Sequence, residues 1–359
     1  MGIKPREAVE TLPKYVPAKS IDSVKREYGF KRVIKLAGNE NTSGFSPSVW
    51  KALKSVTSYY PDMSYSALKE KLSKRFGIDD SKIVIGNGSF ELISLIGLTY
   101  LESDDESIIV KPSFGWYTNA TLTMGAIPVY VDLVDFKTDL DAVLNAVTDK
   151  TKVIWICNPN NPVGTIINEK EMTDFLDRLR DDILVVLDEA YIDFVVEEGF
   201  PDTIKLLGQY KNIILLRTFS KLEGLAHFRI GYGFAEPDII EHINRVKLPI
   251  NVNGAAYAAA VAAIDDEEFK EAYKVSVRNG LQQYYGFLDK KGLHYIKSNT
   301  NFILFDTKID SSIIVDKALK KGILVRDASE FGYPTYIRVS IGSYEENQQF
   351  IDVLEETLT

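Results

Sequence analysis

Val153-Ile154-Trp155-Ile156-Cys157-Asn158-Pro159-Asn160-Asn161-Pro162-Val163-Gly164 runs an unbroken apolar segment straight into a turn of prolines, asparagines and a glycine. Apolar residues without polar alternation describe a strand covered on both faces, as in a parallel sheet. Ligands of open α/β sheets bind at the carboxyl ends of the strands, so the turn at 158–164 stands where a site would be built. Taken alone, it is also an ordinary loop. Two similar junctions follow. Leu187-Asp188-Glu189-Ala190-Tyr191 closes the apolar run Ile183 to Leu187, and Arg217-Thr218-Phe219-Ser220-Lys221 closes the run Ile213 to Leu216. Three strand ends therefore deliver Asn161, Asp188, Tyr191, Ser220 and Lys221 to one edge of a sheet, an alternation that a solvated charge run does not produce.

Working outward, further strand-like runs at Lys82 to Ile85, Ser107 to Val110 and Pro128 to Val131 alternate with helical stretches, which predicts an α/β fold with a mostly parallel central sheet flanked by helices. The segment Asp62 to Phe76 puts Tyr65, Leu68, Leu72 and Phe76 on one face, offers Asp62 or Ser64 as N-cap and stops at Gly77, which predicts a helix packed on that sheet. After Pro249 the texture changes to an alanine-rich stretch, a long charged helix from Glu267 to about Lys290 and two βα-like units. The expected division is an N-terminal arm with part of a small domain (1–43), a large domain (44–248) and a smaller α/β domain (249–359).

Composition narrows the function classes. The 359 residues are 45% hydrophobic and 26% charged, enough to bury a sizeable core. With 42 basic against 51 acidic residues the net charge is -9, which argues against a broad phosphate-backbone footprint and so against nucleic acid as a partner. The first residues mix both charge signs with Pro5, and no apolar run approaches the ~20 residues that span a bilayer, so a soluble, cytoplasmic protein is expected. One cysteine, Cys157, permits no internal disulfide, and His227, His242 and His294 lack ligand spacing, so no metal is expected.

Val84-Ile85-Gly86-Asn87-Gly88-Ser89-Phe90-Glu91-Leu92 carries a strand through a glycine turn into a helix. Free backbone N–H groups and the positive end of the dipole favour a phosphate there. Three readings fit the turn: a plain structural element, a cup for a cofactor phosphate, or a dinucleotide site with Asp104 or Asp105 as ribose acid. Glu91 stands where the third glycine of a dinucleotide fingerprint would be.

Asn158 to Gly164 resembles the N-P-x-N-P-T-G motif of class I/II (fold-type I) pyridoxal-5'-phosphate (PLP) aminotransferases, Asp188 to Tyr191 their D-E-A-Y, and Ser220-Lys221 with Arg229 their S-K-x7-R. Lys35 to Asn41, Tyr60-Pro61-Asp62, Gly86 to Ser89, Gly322 to Asp327 and Ile337 to Gly342 extend the resemblance across nearly the whole chain, closest to the histidinol-phosphate aminotransferase branch.

The resemblance implies that Lys221 holds PLP as a Schiff base and moves the substrate proton, that Asp188 pairs with the pyridinium nitrogen, and that Tyr191 and Asn161 hydrogen-bond the ring hydroxyl oxygen. It places Phe114 on the ring face, with Tyr117 as the other candidate. It assigns the cofactor phosphate to the backbone of Gly88, Ser89 and Phe90, to Ser220 and Arg229, and to Tyr60 from the neighbouring subunit of a homodimer with shared active sites. It places Arg338 on the substrate carboxylate, Arg326 and Tyr15 at the phosphate end of histidinol phosphate, and Asn39 in the substrate site. The implied reaction exchanges an amino donor with a 2-oxo acid: histidinol phosphate with 2-oxoglutarate, in histidine biosynthesis. Another amino-acid transaminase or a phospho-amino-acid decarboxylase shares the frame, and a nicotinamide dehydrogenase is the reading from a different class. Thr42-Ser43, Phe90, Glu223 and His227 depart from the branch's habits, and the last two stand between Lys221 and Arg229.

Overall fold

The computed structural model describes residues 2–12 and 19–358. Its strands are β1 (Ile34–Lys35), β2 (Ile83–Gly86), β3 (Glu106–Lys111), β4 (Ile127–Asp132), β5 (Thr151–Cys157), β6 (Leu184–Asp188), β7 (Ile213–Thr218), β8 (Gly231–Ala235), β9 (Phe302–Asp306), β10 (Ile323–Leu324), β11 (Arg326–Asp327) and β12 (Tyr336–Ser340). Seven of them form one sheet in the order β2-β8-β7-β6-β5-β3-β4. β8 runs antiparallel to both its neighbours; the other pairings are parallel.

The unbroken apolar runs follow from two-sided burial. Ile154 and Ile156 of β5 enter one core with Val185, Leu187, Ile213 and Leu215. Val153, Trp155 and Cys157 enter the opposite core with Val186, Ile214 and Leu216. Side chains alternate across a strand, so covering both faces requires apolar residues at every position. At the carboxyl ends the pattern breaks: Asn158, Asp188 and Thr218 are buried polar groups at one edge.

All six strand runs expected from sequence lie in this sheet, with ends displaced by at most two residues. β8, Gly-Tyr-Gly-Phe-Ala, was not expected, because glycine lowers strand propensity. Its glycines are there for close approach: a Cβ on Gly231 would lie 2.4 Å from the Ser89 nitrogen, and one on Gly233 3.0 Å from the Leu215 carbonyl oxygen. The helix expected from Asp62 begins instead at Ser66. Asp62 still stabilises its start, its carboxylate accepting from the backbone N–H groups of Ser64 (2.9 Å) and Ser66 (2.7 Å), while Tyr65 takes a left-handed conformation between them. Gly77 ends the helix as expected.

A second core surrounds β12, which pairs with β9 and β11 in an antiparallel sheet. β1 and β10 form a short parallel ladder beside it, so residues 34 and 35 of the N-terminal segment pair with this part of the chain. Helices Glu267–Lys291, Ser311–Lys320 and Tyr344–Thr357 supply Tyr284, Leu288, Ile314, Phe350 and Leu354 to this core. The alanine-rich helix Gly254–Ala263 does not join it. Ala256, Ala259, Ala260 and Ala263 are buried in the core of the seven-stranded sheet, although the sequence division at 249 put that helix in the smaller domain. Periodicity identifies an apolar face without saying which core receives it. Among the described residues, no helix is long and apolar enough to cross a membrane.

Candidate active site

Parallel pairing sets the strand ends side by side: Cys157 of β5 is in register with Asp188 of β6, and Asp188 with Leu216 of β7. The loops leaving these strands enclose a cavity of about 330 Å³ whose wall includes Asn161, Asp188, Tyr191, Ser220, Lys221 and Arg229. Ser89, Phe90 and Phe114 close it from the glycine-turn side, and Gly38 and Glu40 from the N-terminal segment.

Burial controls the charges inside. It pushes the Asp188 carboxyl up to about 6, against the opposing effect of the Tyr117 hydroxyl, which donates to Oδ2 at 2.8 Å, and of the Ala190 N–H, which donates to Oδ1 at 3.2 Å. Lys221 is pushed down to about 8, first by burial and then by the Arg338 guanidinium, with Arg229 acting in the same direction. An amine in that range spends roughly a tenth of its time neutral at pH 7, as a nucleophilic lysine requires. Its Nζ lies 3.4 Å from the Gly38 carbonyl oxygen and 5.4 Å from the Tyr191 ring centre.

Asn39, left-handed at φ 54°, is buried. Its Nδ2 donates to the Tyr191 hydroxyl at 3.0 Å, its N–H donates to Ser340 Oγ at 2.8 Å, and its carbonyl accepts from Asn301 Nδ2 at 3.1 Å. Arg338 donates from Nη1 to Asn161 Oδ1 at 2.6 Å and from Nη2 to the Ala37 carbonyl at 2.9 Å. Phe302 lies 5.3 Å and Phe331 5.6 Å from its guanidinium. Burial pushes Arg338 down to about 10. Its buried Nε has no hydrogen-bond partner among the described residues, and an unpaired buried donor is costly unless something arrives to accept from it.

The helix Ser89–Tyr100 begins at Gly88 without a side-chain cap. Gly88 has φ 76°, and a Cβ there would meet Arg229 Nη2 at 2.5 Å. Gly231 brings β8 against the same turn. Arg229, itself left-handed at φ 59°, donates from Nη1 to the Ala226 carbonyl at 2.9 Å and to Ser220 Oγ at 3.4 Å. Uncapped N–H groups, a hydroxyl and a guanidinium thus face one point, the donor set a phosphate needs. Lysine, buried acid and this donor set lie in one cavity, and these residues fit PLP.

Some expectations separate from this group. Tyr117 is not free to lie against a ring, because it is fully buried, stacked on Trp155 at 5.2 Å and hydrogen-bonded to Asp188; of the two candidates, Phe114 lines the cavity. Tyr60 is 85% exposed and does not line the cavity of the single chain. Tyr15 lies outside the described residues. Arg326 is held by Glu330. His227 is exposed on a short 3-10 turn. Glu223 is buried but points elsewhere, toward Asp193, Lys270 and Arg75, and burial pushes it up to about 8. Asp104 and Asp105 precede the start of β3, at the opposite sheet edge from Gly88, so neither can serve a ribose beside that turn. The Tyr117–Asp188 bond escaped sequence reasoning because it joins residues 71 apart in the chain.

The family model for aminotransferase class I and II matches residues 31–354, and the chain belongs to this family of PLP-dependent aminotransferases. Its relatives point to one branch. The chain is 41% identical to histidinol-phosphate aminotransferase of Geobacillus sp. (strain WCH70), covering 97% of this chain and 96% of that one. It is 42% identical to histidinol-phosphate aminotransferase of Caldicellulosiruptor saccharolyticus, covering 98% and 99%. The crystal structure of histidinol-phosphate aminotransferase from Sinorhizobium meliloti in complex with PLP superposes with a TM-score of 0.90 at 26% identity, covering 100% of this chain and 98% of that one.

Proposed function

We propose that the chain transfers an amino group between histidinol phosphate and 2-oxoglutarate, with PLP held on Lys221. Full-length relatives at about 40% identity carry that activity in their names, and the observation that carries the reading here is Arg338, buried beside the cavity with an Nε that has no partner among the described residues and placed directly across the strand pair from Arg326. Two adjacent guanidiniums suit a substrate bearing a phosphate where an amino acid bears its carboxylate.

PLP, when bound, supplies an aldehyde carbon for amines and a ring that accepts the electron pair released when the substrate's α-C–H bond breaks. Lys221 Nζ, its pKa lowered by burial, would take the proton from that carbon and deliver it to the cofactor carbon bonded to the same nitrogen. Asp188, oriented by Tyr117 and by the Ala190 N–H, holds a proton on the ring nitrogen. Tyr191, fixed by Asn39, and Asn161, fixed by Arg338, address the ring hydroxyl, and Phe114 covers a ring face. Gly88, Ser89, Phe90, Ser220 and Arg229 receive the phosphate, with Tyr60 coming from a second subunit of a homodimer. Its 85% exposure in the single chain supports that placement. Asn39 orders the substrate side of the cavity, and Arg326 serves the phosphate end of the substrate. A cytoplasmic location completes the proposal.

Comparing kcat/KM for histidinol phosphate, phenylalanine and threonine phosphate on the PLP-loaded protein tests the substrate. Preference for histidinol phosphate by at least ~10²-fold is expected; equal or better turnover of another amine would move the assignment to that amine.

A further inference from the structure

Arg326 of β11 and Arg338 of β12 are directly opposed residues of an antiparallel pair, and such partners project from the same face. Arg338 reaches the cavity through Asn161, so Arg326 stands just beyond it on the same side. The single turn Ser329–Phe331 that follows β11 closes over both arginines. Its Phe331 ring lies against the Arg338 guanidinium at 5.6 Å. Its Glu330 carboxylate grips the fork of Arg326, one oxygen on Nε and the other on Nη2 at 2.6 Å. Arg338, by contrast, is paired with an amide oxygen and a carbonyl, and with no carboxylate among the described residues.

A site that serves two half-reactions meets two kinds of anion. A carboxylate carries one charge and one guanidinium satisfies it; a phosphate monoester carries nearly two at neutral pH and suits two. A permanent pair of bare arginines would leave Arg326 without a counter-charge whenever Arg338 held an α-carboxylate and no second substrate anion reached Arg326.

We propose that Glu330 is a displaceable internal counter-ion that neutralises Arg326 while Arg338 alone receives a carboxylate, and that leaves Arg326 when a phosphate ester engages both arginines. The proposal rests on the assignment of Arg338 and Arg326 to substrate anions. The exposure of the pair suits the role. With 36% and 40% of the two side chains accessible, the contact is of the weakly stabilising surface kind, which a dianion can displace; a fully buried pair would be locked.

The test is Glu330→Gln in the PLP-loaded enzyme, read as KM for histidinol phosphate and for glutamate, alone and with Arg326→Gln. Removing the competing carboxylate lowers KM for histidinol phosphate relative to that for glutamate by roughly two- to five-fold, and the effect vanishes in the Arg326→Gln background. An unchanged ratio, an equal fall for both substrates, or a rise in the histidinol phosphate KM, which would make Glu330 an aligner of Arg326, overturns the proposal. Arg326→Gln alone separates the two levels. If it raises the histidinol phosphate KM while Glu330→Gln is silent, only the counter-ion fails; if it changes nothing, the assignment of Arg326 fails with it.

Discussion

Replacing Gly231 by alanine inserts one methyl group where β8 crosses the glycine turn. The added Cβ would lie 2.4 Å from the Ser89 nitrogen, 2.8 Å from the Gly88 carbonyl carbon and 2.9 Å from the Arg217 carbonyl oxygen. All three are backbone atoms, so no side-chain rotation relieves the contact. Gly231 is held in register with Gly86 on one side and Thr218 on the other, which leaves the Gly88–Ser89 turn as the part that can retreat. Restoring an ordinary contact needs a shift of about 1 Å, and overpacking of this kind typically costs about 1–3 kcal/mol. A donor moved by ~1 Å from a ~2.9 Å hydrogen bond no longer makes it, and a bond to a charged group is worth about 1.5–3 kcal/mol. The dissociation constant for PLP should therefore rise by roughly 10- to 150-fold. Titrating the cofactor-free variant with PLP measures this, and urea unfolding of the same protein separates a local shift from global loss of fold. A variant that folds, is destabilised, and still binds PLP within about two-fold of the parent would refute the assignment of that turn to the phosphate.

Asp188 stands at about 6 in the fold against an ordinary 3.8. The folded state therefore holds this proton more tightly, and cofactor-free stability falls as pH rises from about 4 to about 6 and stays lower above that, by ~3 kcal/mol for this group alone. Cofactor-free Asp188→Asn should lack that step and be at least as stable as the parent at roughly pH 7.5, while losing transamination; thermal melts across the range check it, and a destabilised variant counts against the reading. Lys221, about 8 in the fold against 10.5, should capture PLP faster as pH rises through 8. Arg338→Gln, which removes the second-largest cause of the depression, should move that midpoint upward; an unmoved or lowered midpoint in stopped-flow absorbance would contradict the electrostatics. Sedimentation of the PLP-loaded protein should show a dimer, and a fully active monomer would remove Tyr60 from the site.

The three strand-end motifs were legible because each chemical residue follows an apolar run whose burial on both faces fixes where the strand stops. That alone puts Lys221, Asp188, Asn161 and Tyr191 at one sheet edge, where the structure shows them lining one cavity. β8 was not legible, since Gly231 and Gly233 serve close packing against other strands and leave no apolar alternation to read. Nor was the destination of the helix Gly254–Ala263, whose alanines fit either core until the tertiary structure is seen. The second layer around the cavity was equally hidden. Tyr117 on Asp188 and Asn39 on Tyr191 join side chains 71 and 152 residues apart, whose meeting no local pattern encodes.

The most direct test is the absorption spectrum of the PLP-loaded protein before and after addition of histidinol phosphate, set beside that of Lys221→Ala. The expected result is a visible band that depends on Lys221 and that histidinol phosphate converts to the spectrum of the aminated cofactor, with 2-oxoglutarate restoring it. A Lys221-independent band would contradict the site; a Lys221-dependent band that histidinol phosphate leaves unchanged would contradict the substrate.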